Sequence, residues 1–199
     1  MRKLAATAPR LRVVGGRWRG RRLPFPVEKG LRPTADRVRE QLFNWLQGEL
    51  VGARCLDLFA GSGALGIEAA SRGAASVLLV DANPRVVRHL DETLETLQSG
   101  DDQPVCTTHC GDARDVIEAG HGPWHILFLD PPFDAPLNET DFVRLDNVLE
   151  AGGWVYCEHR SGESLAPLPA RWTRHREGRA GEASYALFRV AGCAAADGG

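Results

Sequence analysis

Between Arg54 and Val190 the apolar positions fall into short continuous runs, separated by stretches in which they recur every three or four residues. "RCLDLF" reads as a buried strand, "GALGIEAASRG" as a helix closed by Gly73, and "ASVLLVD" as a second strand. In "NPRVVRHLDETLETLQ", Val87, Leu90, Leu94 and Leu97 share one helical face behind an Asn83 N-cap and Pro84 at the first helical position. A weaker third strand, "PVCTTHC", a short helix, "DARDVIEAG", and a fourth strand, "WHILFLD", follow. A helix near 139–149, a strand at "GGWVYCEH" and two strands near 170–176 and 183–190 complete the pattern. Strands alternating with helices predict an α/β fold built on a mostly parallel, doubly wound sheet.

Upstream the pattern changes. "LRVVGGRWRGRRLPFP" reads as two short apolar runs around a Gly-containing turn, a basic hairpin. "RPTADRVREQLFNWLQGEL" then settles into Val38, Leu42, Trp45 and Leu46, the spacing of an amphipathic helix whose stripe docks on the main body and leaves Arg37 and Arg39 free. The expected organisation is a loose N-terminus over 1–10, a basic hairpin and helix over 11–50, the α/β domain over 51–190, and a loose tail over 191–199.

Composition narrows the class. A chain of 199 residues with 43% hydrophobic content suits a single sizeable core. The five cysteines are odd in number and contain no C-x-x-C pair, a usage that fits reduced thiols. No signal-peptide or membrane-spanning run is present, so a cytoplasmic protein with no membrane contact is expected, monomeric by default and without an obligate protein partner. The net charge of −2 conceals an asymmetry: residues 1–40 carry twelve Lys and Arg against Glu28, Asp36 and Glu40, a net +9 on an otherwise acidic chain. Such an arm fits a polyanion, most commonly nucleic acid, and competes with a merely solvated tail.

Four short motifs carry the chemistry. "DLFAGSGALG" puts Asp57 at a strand end and Gly61, Gly63 and Gly66 in a turn opening a helix, where glycine lets the backbone approach a ligand. Read literally it is the dinucleotide fingerprint G-x-G-x-x-G, with Asp81 placed to accept ribose hydroxyls, so a nicotinamide dehydrogenase is one reading. Asp57 opposes it, because a carboxylate before the glycines repels a pyrophosphate and welcomes an ammonium group. S-adenosylmethionine joins a ribose to an ammonium without phosphates, and a plain strand-end cap is the alternative role for Asp57. "GDA" at 111–113 offers Asp112 either to an adenine amine or as a helix N-cap. "DPPF" offers Asp130 as an acceptor for an exocyclic base amine, Pro131-Pro132 as a stiff corner and Phe133 as a stacking face, against the simpler reading of a strand-ending turn. Cys106, His109 and Cys110 lack a fourth spaced ligand, and no metal is expected.

Taken together, "GGRWRGRRL", "LRPTADRVREQLFNWL", "LDLFAGSGALGIEAASRGA", "VDAN", "GDA" and "LDPPF" resemble the bacterial 16S rRNA guanine-N2 methyltransferases, over about residues 11–190. The resemblance implies a Rossmann-like class I methyltransferase fold, seven strands in the order 3-2-1-4-5-7-6 with strand 7 antiparallel. It implies S-adenosylmethionine held by Asp57, Phe59, Ala60, Gly61, Ser62 and Gly63, by Asp81 with Asn83, and by Asp112 with Ala113, with Asp130 at the reacting end. It also implies guanine received by Asp130, Pro131, Pro132 and Phe133, the last often Tyr in the family, and 16S rRNA of the small subunit or its assembly intermediate as partner. Arg17, Arg19, Arg21 and Arg22 then suit phosphate contacts, with Trp18 either stacking on a base or packing the hairpin. Arg32, Thr34 and Arg37 come at a helix start able to overlie the site. An amine methyltransferase acting on adenine or DNA, and a non-catalytic RNA-binding assembly factor, are the competing functions.

Overall fold

The computed structural model describes residues 10–25, 36–100 and 105–192, so Arg32, Thr34 and most of the two expected loose ends lie outside the described residues. A two-stranded antiparallel hairpin, β1 (Arg10–Arg12) and β2 (Arg22–Pro24), precedes helix α1 (Asp36–Trp45). Alternation then runs β3 (Arg54–Asp57), α2 (Ala64–Ser71), β4 (Ser76–Asp81), α3 (Pro84–Leu97), β5 (Cys106–Cys110), α4 (Ala113–Ala119), β6 (Trp124–Leu129) and α5 (Glu139–Asn147). Three strands close the chain: β7 (Leu149–Arg160), β8 (Trp172–Ala180) and β9 (Ala183–Val190).

The main sheet has the order β5-β4-β3-β6-β7-β9-β8. Counted from β3 this is 3-2-1-4-5-7-6, and β9 runs antiparallel to both of its neighbours, as the resemblance implies. The central strands are parallel and have helices on both sides, so their residues are buried on both faces. On one face Cys55, Val77, Leu79, Phe128 and Tyr156 pack with Leu42 and Phe43 of α1, Ile67 of α2 and Leu90 of α3. On the other, Leu56, Val80, Leu127, Leu129, Val155 and Cys157 pack with Ile117 of α4 and Phe142 and Leu145 of α5. The helix starts follow the expected chemistry. Asn83 caps α3 by accepting from Arg85 N with Pro84 at the first position, and Asn138 forms a reciprocal capping box with Asp141 at α5.

The hairpin is clamped to α2. Glu68, 1% exposed, accepts from Val14 N at 2.8 Å and Gly15 N at 2.7 Å, and also takes Arg72 Nε at 2.7 Å. Ser71 Oγ accepts from Trp18 N and donates to Gly15 O, while Arg17 N donates to Ser71 O. A side chain at Gly16 would put its Cβ 1.8 Å from Ser71 O, so this approach requires glycine. Leu11, Val13, Trp18, Leu23 and Phe25 thereby join the core shared by α1, α2 and α3.

One expectation fails here, and one of two open readings is favoured. Arg39 is not free: it is 1% exposed, and its Nη2 pairs with Asp36 and donates to Arg12 O at 2.9 Å, while Nε and Nη1 are buried without a partner among the described residues. The buried stripe of α1 is Val38, Arg39, Leu42 and Phe43, continued by Leu46, with Trp45 half-buried; Arg37 is exposed as expected. Of the two readings for Trp18, its 4% exposure favours packing in the core over an open stacking face. Arg17 lies over that ring at 4.3 Å.

Candidate active site

Strand β3 has β4 on one side and β6 on the other, so the chain reverses direction across the sheet here and leaves a crevice at the strands' carboxyl ends. The loop after β3 is strung across it. Leu58 N donates to Phe128 O of β6, Ala60 N to Val80 O of β4, and Gly63 N back to Ala60 O. Gly61 and Gly63 take positive φ, 51° and 76°, in this turn. At Gly66 a Cβ would sit 2.2 Å from Leu79 Cδ2, so glycine lets α2 close onto the sheet.

The acids that sequence reading singled out all stand at this edge. Asp57, 1% exposed, accepts from Gly66 N at 3.0 Å. Burial pushes its carboxyl up to about 7, against the lowering effect of the Gly66 and Phe59 amides, and Asp81 adds to the rise. Asp81 receives Gly61 N at 3.0 Å on one oxygen and Asn83 N at 2.8 Å on the other. Asp112 caps α4 by accepting from Arg114 N, and Gly111 N ties its turn to Asp81 O. Ala60, Ser62 and Ala113 are buried, and Phe59 is half-buried.

Asp130 follows β6. Leu129 pairs with Cys157, so Asp130 stands level with Glu158 on β7. Strand alternation sends Asp57, Asp81, Asp130 and Glu158 toward the face occupied by α1, α2 and α3, the face of Cys55, Leu79, Phe128 and Tyr156. In sheet order they form one row of carboxylates. Burial, then Glu158 and Asp57, hold the Asp130 carboxyl well above the usual range. Burial likewise raises Glu158, which the Tyr156 hydroxyl, donating at 2.6 Å, partly offsets. Behind Asp130, Pro131 is buried, Pro132 exposed, and Phe133 half-buried beneath the Arg160 guanidinium, 5.2 Å from the ring centre. A pocket of about 240 Å³ opens here, walled by Pro131, Phe133, Leu137, Phe142, Glu158 and Arg160 among others.

These residues fit S-adenosylmethionine. The row of carboxyl groups suits a donor carrying positive charge, which would favour their ionised forms, Asp81 suits ribose hydroxyls, and the acidic residue before the glycine turn disfavours a pyrophosphate. Glu158, Tyr156 and Arg160 escaped sequence reading, as did Glu68 and Ser71 of the hairpin clamp. The Tyr-x-Glu spacing in "VYCEH" places both polar groups on one strand face, a signal that an otherwise apolar strand hides. Arg17, Arg19, Arg21, Arg22 and Arg37 are exposed on the hairpin and at the start of α1. Cys106 is buried while His109 and Cys110 are exposed, and no metal-holding cluster occurs among the described residues.

Comparison with known proteins adds to this geometry. The chain is 43% identical to the ribosomal RNA small subunit methyltransferase D of Escherichia coli K12, over 90% of this chain and 89% of that protein. It is 37% identical to the Haemophilus influenzae protein of the same name, over 90% and 93%. Its fold matches the solved structure of the putative methyltransferase yhhF from Escherichia coli with a TM-score of 0.80 and 40% identity, covering 92% of this chain and 99% of that one. The family described as conserved hypothetical protein 95 matches residues 11–189, and the chain belongs to that family.

Proposed function

We propose that this protein is an S-adenosylmethionine-dependent rRNA methyltransferase acting on the exocyclic N2 amine of one guanine in 16S rRNA, within the small ribosomal subunit or its assembly intermediate. The observation that carries this reading is the row of carboxyl groups, Asp81, Asp57 and Asp130, along the carboxyl edge of the parallel strands, with the Pro131-Pro132-Phe133 corner directly behind Asp130. The relatives named for small-subunit rRNA methylation cover nine-tenths of the chain and support the RNA class.

S-adenosylmethionine supplies an electrophilic methyl group on a positively charged sulfur. The chain's own residues do the rest by positioning. Asp57 shapes the glycine turn through Gly66 N, Asp81 holds that turn through Gly61 N and retains acceptor capacity for ribose hydroxyls, and Asp112 sits where an adenine amine would be read. Phe133 stacks on the guanine ring, and Pro131-Pro132 fix the corner that aims Asp130. Asp130 accepts the N2 hydrogens and takes up the proton that leaves as nitrogen gains its methyl group. Positive charge close by favours the ionised form of a carboxyl whose ionisation burial opposes, so the cationic donor strengthens Asp130 as an acceptor.

Arg19, Arg21 and Arg22 of the hairpin, with Arg17 and Arg37, contact phosphates and orient the RNA over the crevice. The test is methyl transfer from labelled S-adenosylmethionine to small subunits lacking the modification, followed by digestion and identification of the nucleoside. N2-methylguanosine supports the reading, a methylated adenosine redirects it, and binding without transferred label overturns it.

A further inference from the structure

We propose that Glu158 is a specificity-determining residue, whose carboxylate accepts the N1–H of the target guanine while Asp130 takes the neighbouring N2 amine. The inference rests on the guanine reading above and extends it to the feature that excludes other amine-bearing bases.

The geometry comes from the pairing of β6 with β7. Leu129 faces Cys157 in a parallel register, so the next residues, Asp130 just past the end of β6 and Glu158 within β7, stand at the same level and on the same face. Adjacent strands lie about 4.8 Å apart, so the two carboxylates present acceptors side by side, as the two neighbouring donors on the Watson–Crick edge of guanine require. Glu158 borders the pocket behind the Pro131-Phe133 corner, whose other walls are Leu129, Phe142 and Cys157 of the opposite sheet face, while its carboxylate lies on the face of Tyr156, beside Asp130. It is 7% exposed, and one oxygen receives the Tyr156 hydroxyl at 2.6 Å. An ionised carboxylate has about four acceptor positions, so one hydroxyl leaves it able to accept more. Burying such a group with a single donor is costly unless a ligand completes its shell.

The support behind Glu158 is ordered. Tyr156 is fully buried and packs at 6.2 Å against the ring of Tyr185, whose hydroxyl donates to Gln41 of α1 at 2.7 Å. The acceptor is therefore held in place by the helix that follows the basic hairpin. Its chemistry separates the bases. Guanine offers N1–H beside its amine, whereas adenine offers a lone pair at N1 that would face an anionic oxygen. 2-Aminopurine keeps the methyl-accepting amine of guanine but also lacks the N1 hydrogen.

The test crosses an enzyme change with a substrate change. Methyl transfer by the wild type and by Glu158→Gln is measured on small subunits reconstituted with guanosine or 2-aminopurine riboside at the target position. The wild type is expected to prefer guanosine strongly. Glu158→Gln is expected to lose about 100-fold in kcat/KM on guanosine, the range for a charge-assisted hydrogen bond, and less than about tenfold on 2-aminopurine, so that the preference collapses. Glu158→Asp, which keeps the charge and withdraws it by one methylene, provides the same comparison should the Gln variant fold poorly. Unchanged S-adenosylmethionine affinity in either variant confirms an intact cofactor site. Equal losses on both bases, or no loss on guanosine, overturn the inference. Failure of the wild type itself to methylate guanine N2 overturns the underlying reading instead.

Discussion

The carboxyl ends of β3 and β4 and those of β6 and β7 both carry a pair of acids, yet the two halves of the crevice treat them differently. On the first side the backbone has claimed the carboxylates: Gly66 N binds Asp57, and Gly61 N and Asn83 N bind Asp81. On the second side Glu158 receives only the Tyr156 hydroxyl, and no hydrogen bond to the Asp130 side chain occurs among the described residues. The first arrangement spends its acids on holding a loop in shape, so a ligand meets a preformed surface. The second leaves acceptors under-partnered and hard to ionise, the state in which an added donor and a positive charge would change them most.

Removing the acid from each side separates the two roles most sharply. Asp130→Ala is expected to lower kcat by about 1,000-fold, within the range for a positioned proton acceptor, while S-adenosylmethionine affinity measured by calorimetry changes less than about threefold. Comparable activity in the variant would remove Asp130 from the reaction. Asp57→Ala should act the other way round. It strands the Gly66 amide, costs about 1–3 kcal/mol of stability and weakens cofactor binding, whereas Asp130→Ala leaves the melting temperature unchanged or raised. Thermal melts of both variants in one buffer check this.

The hairpin supplies a milder perturbation that spares both sides. Arg19→Ala, Arg21→Ala and Arg22→Ala combined should raise KM for subunits and reduce the slope of log affinity against log salt by about 2–3, near one per phosphate contact, with kcat unchanged. A salt slope equal to the wild type would assign RNA contact elsewhere. The last effect is that of pH on stability. Folding raises the Asp57 carboxyl to about 7 from the ordinary 3.8, so the folded state holds more protons between those values. Its contribution to stability is greatest in acid and declines as pH rises through that window, and Asp57→Asn should flatten the decline. Asp130 and Glu158, also raised, act with the same sign.

Much of this architecture was legible from residue order. The strand and helix runs, the Asn83 cap, the glycine turn and the succession Asp57, Asp81, Asp112, Asp130 depend on local patterns that survive in one dimension. What escaped depends on pairing between distant segments. Arg39 occupies an exposed-looking place in its helix but finds its partner in the carbonyl of Arg12 across the hairpin. Trp18 sits among arginines, as a base-stacking residue would, and is buried because Ser71 pulls its backbone down onto α2. Glu158 became visible beside Asp130 only through the register of two parallel strands separated by a helix.

The clamp made by Glu68 and Ser71 bears on how the enzyme could be redirected. Those two residues belong to the helix that opens directly from the glycine turn, yet they grip Val14, Gly15, Arg17 and Trp18. The hairpin is therefore not a detachable handle. Exchanging it for another sequence in order to choose a new RNA target would require transplanting the Gly15-Gly16 pair with it and retaining Glu68 and Ser71 as its socket, or the graft would loosen the floor of the cofactor crevice.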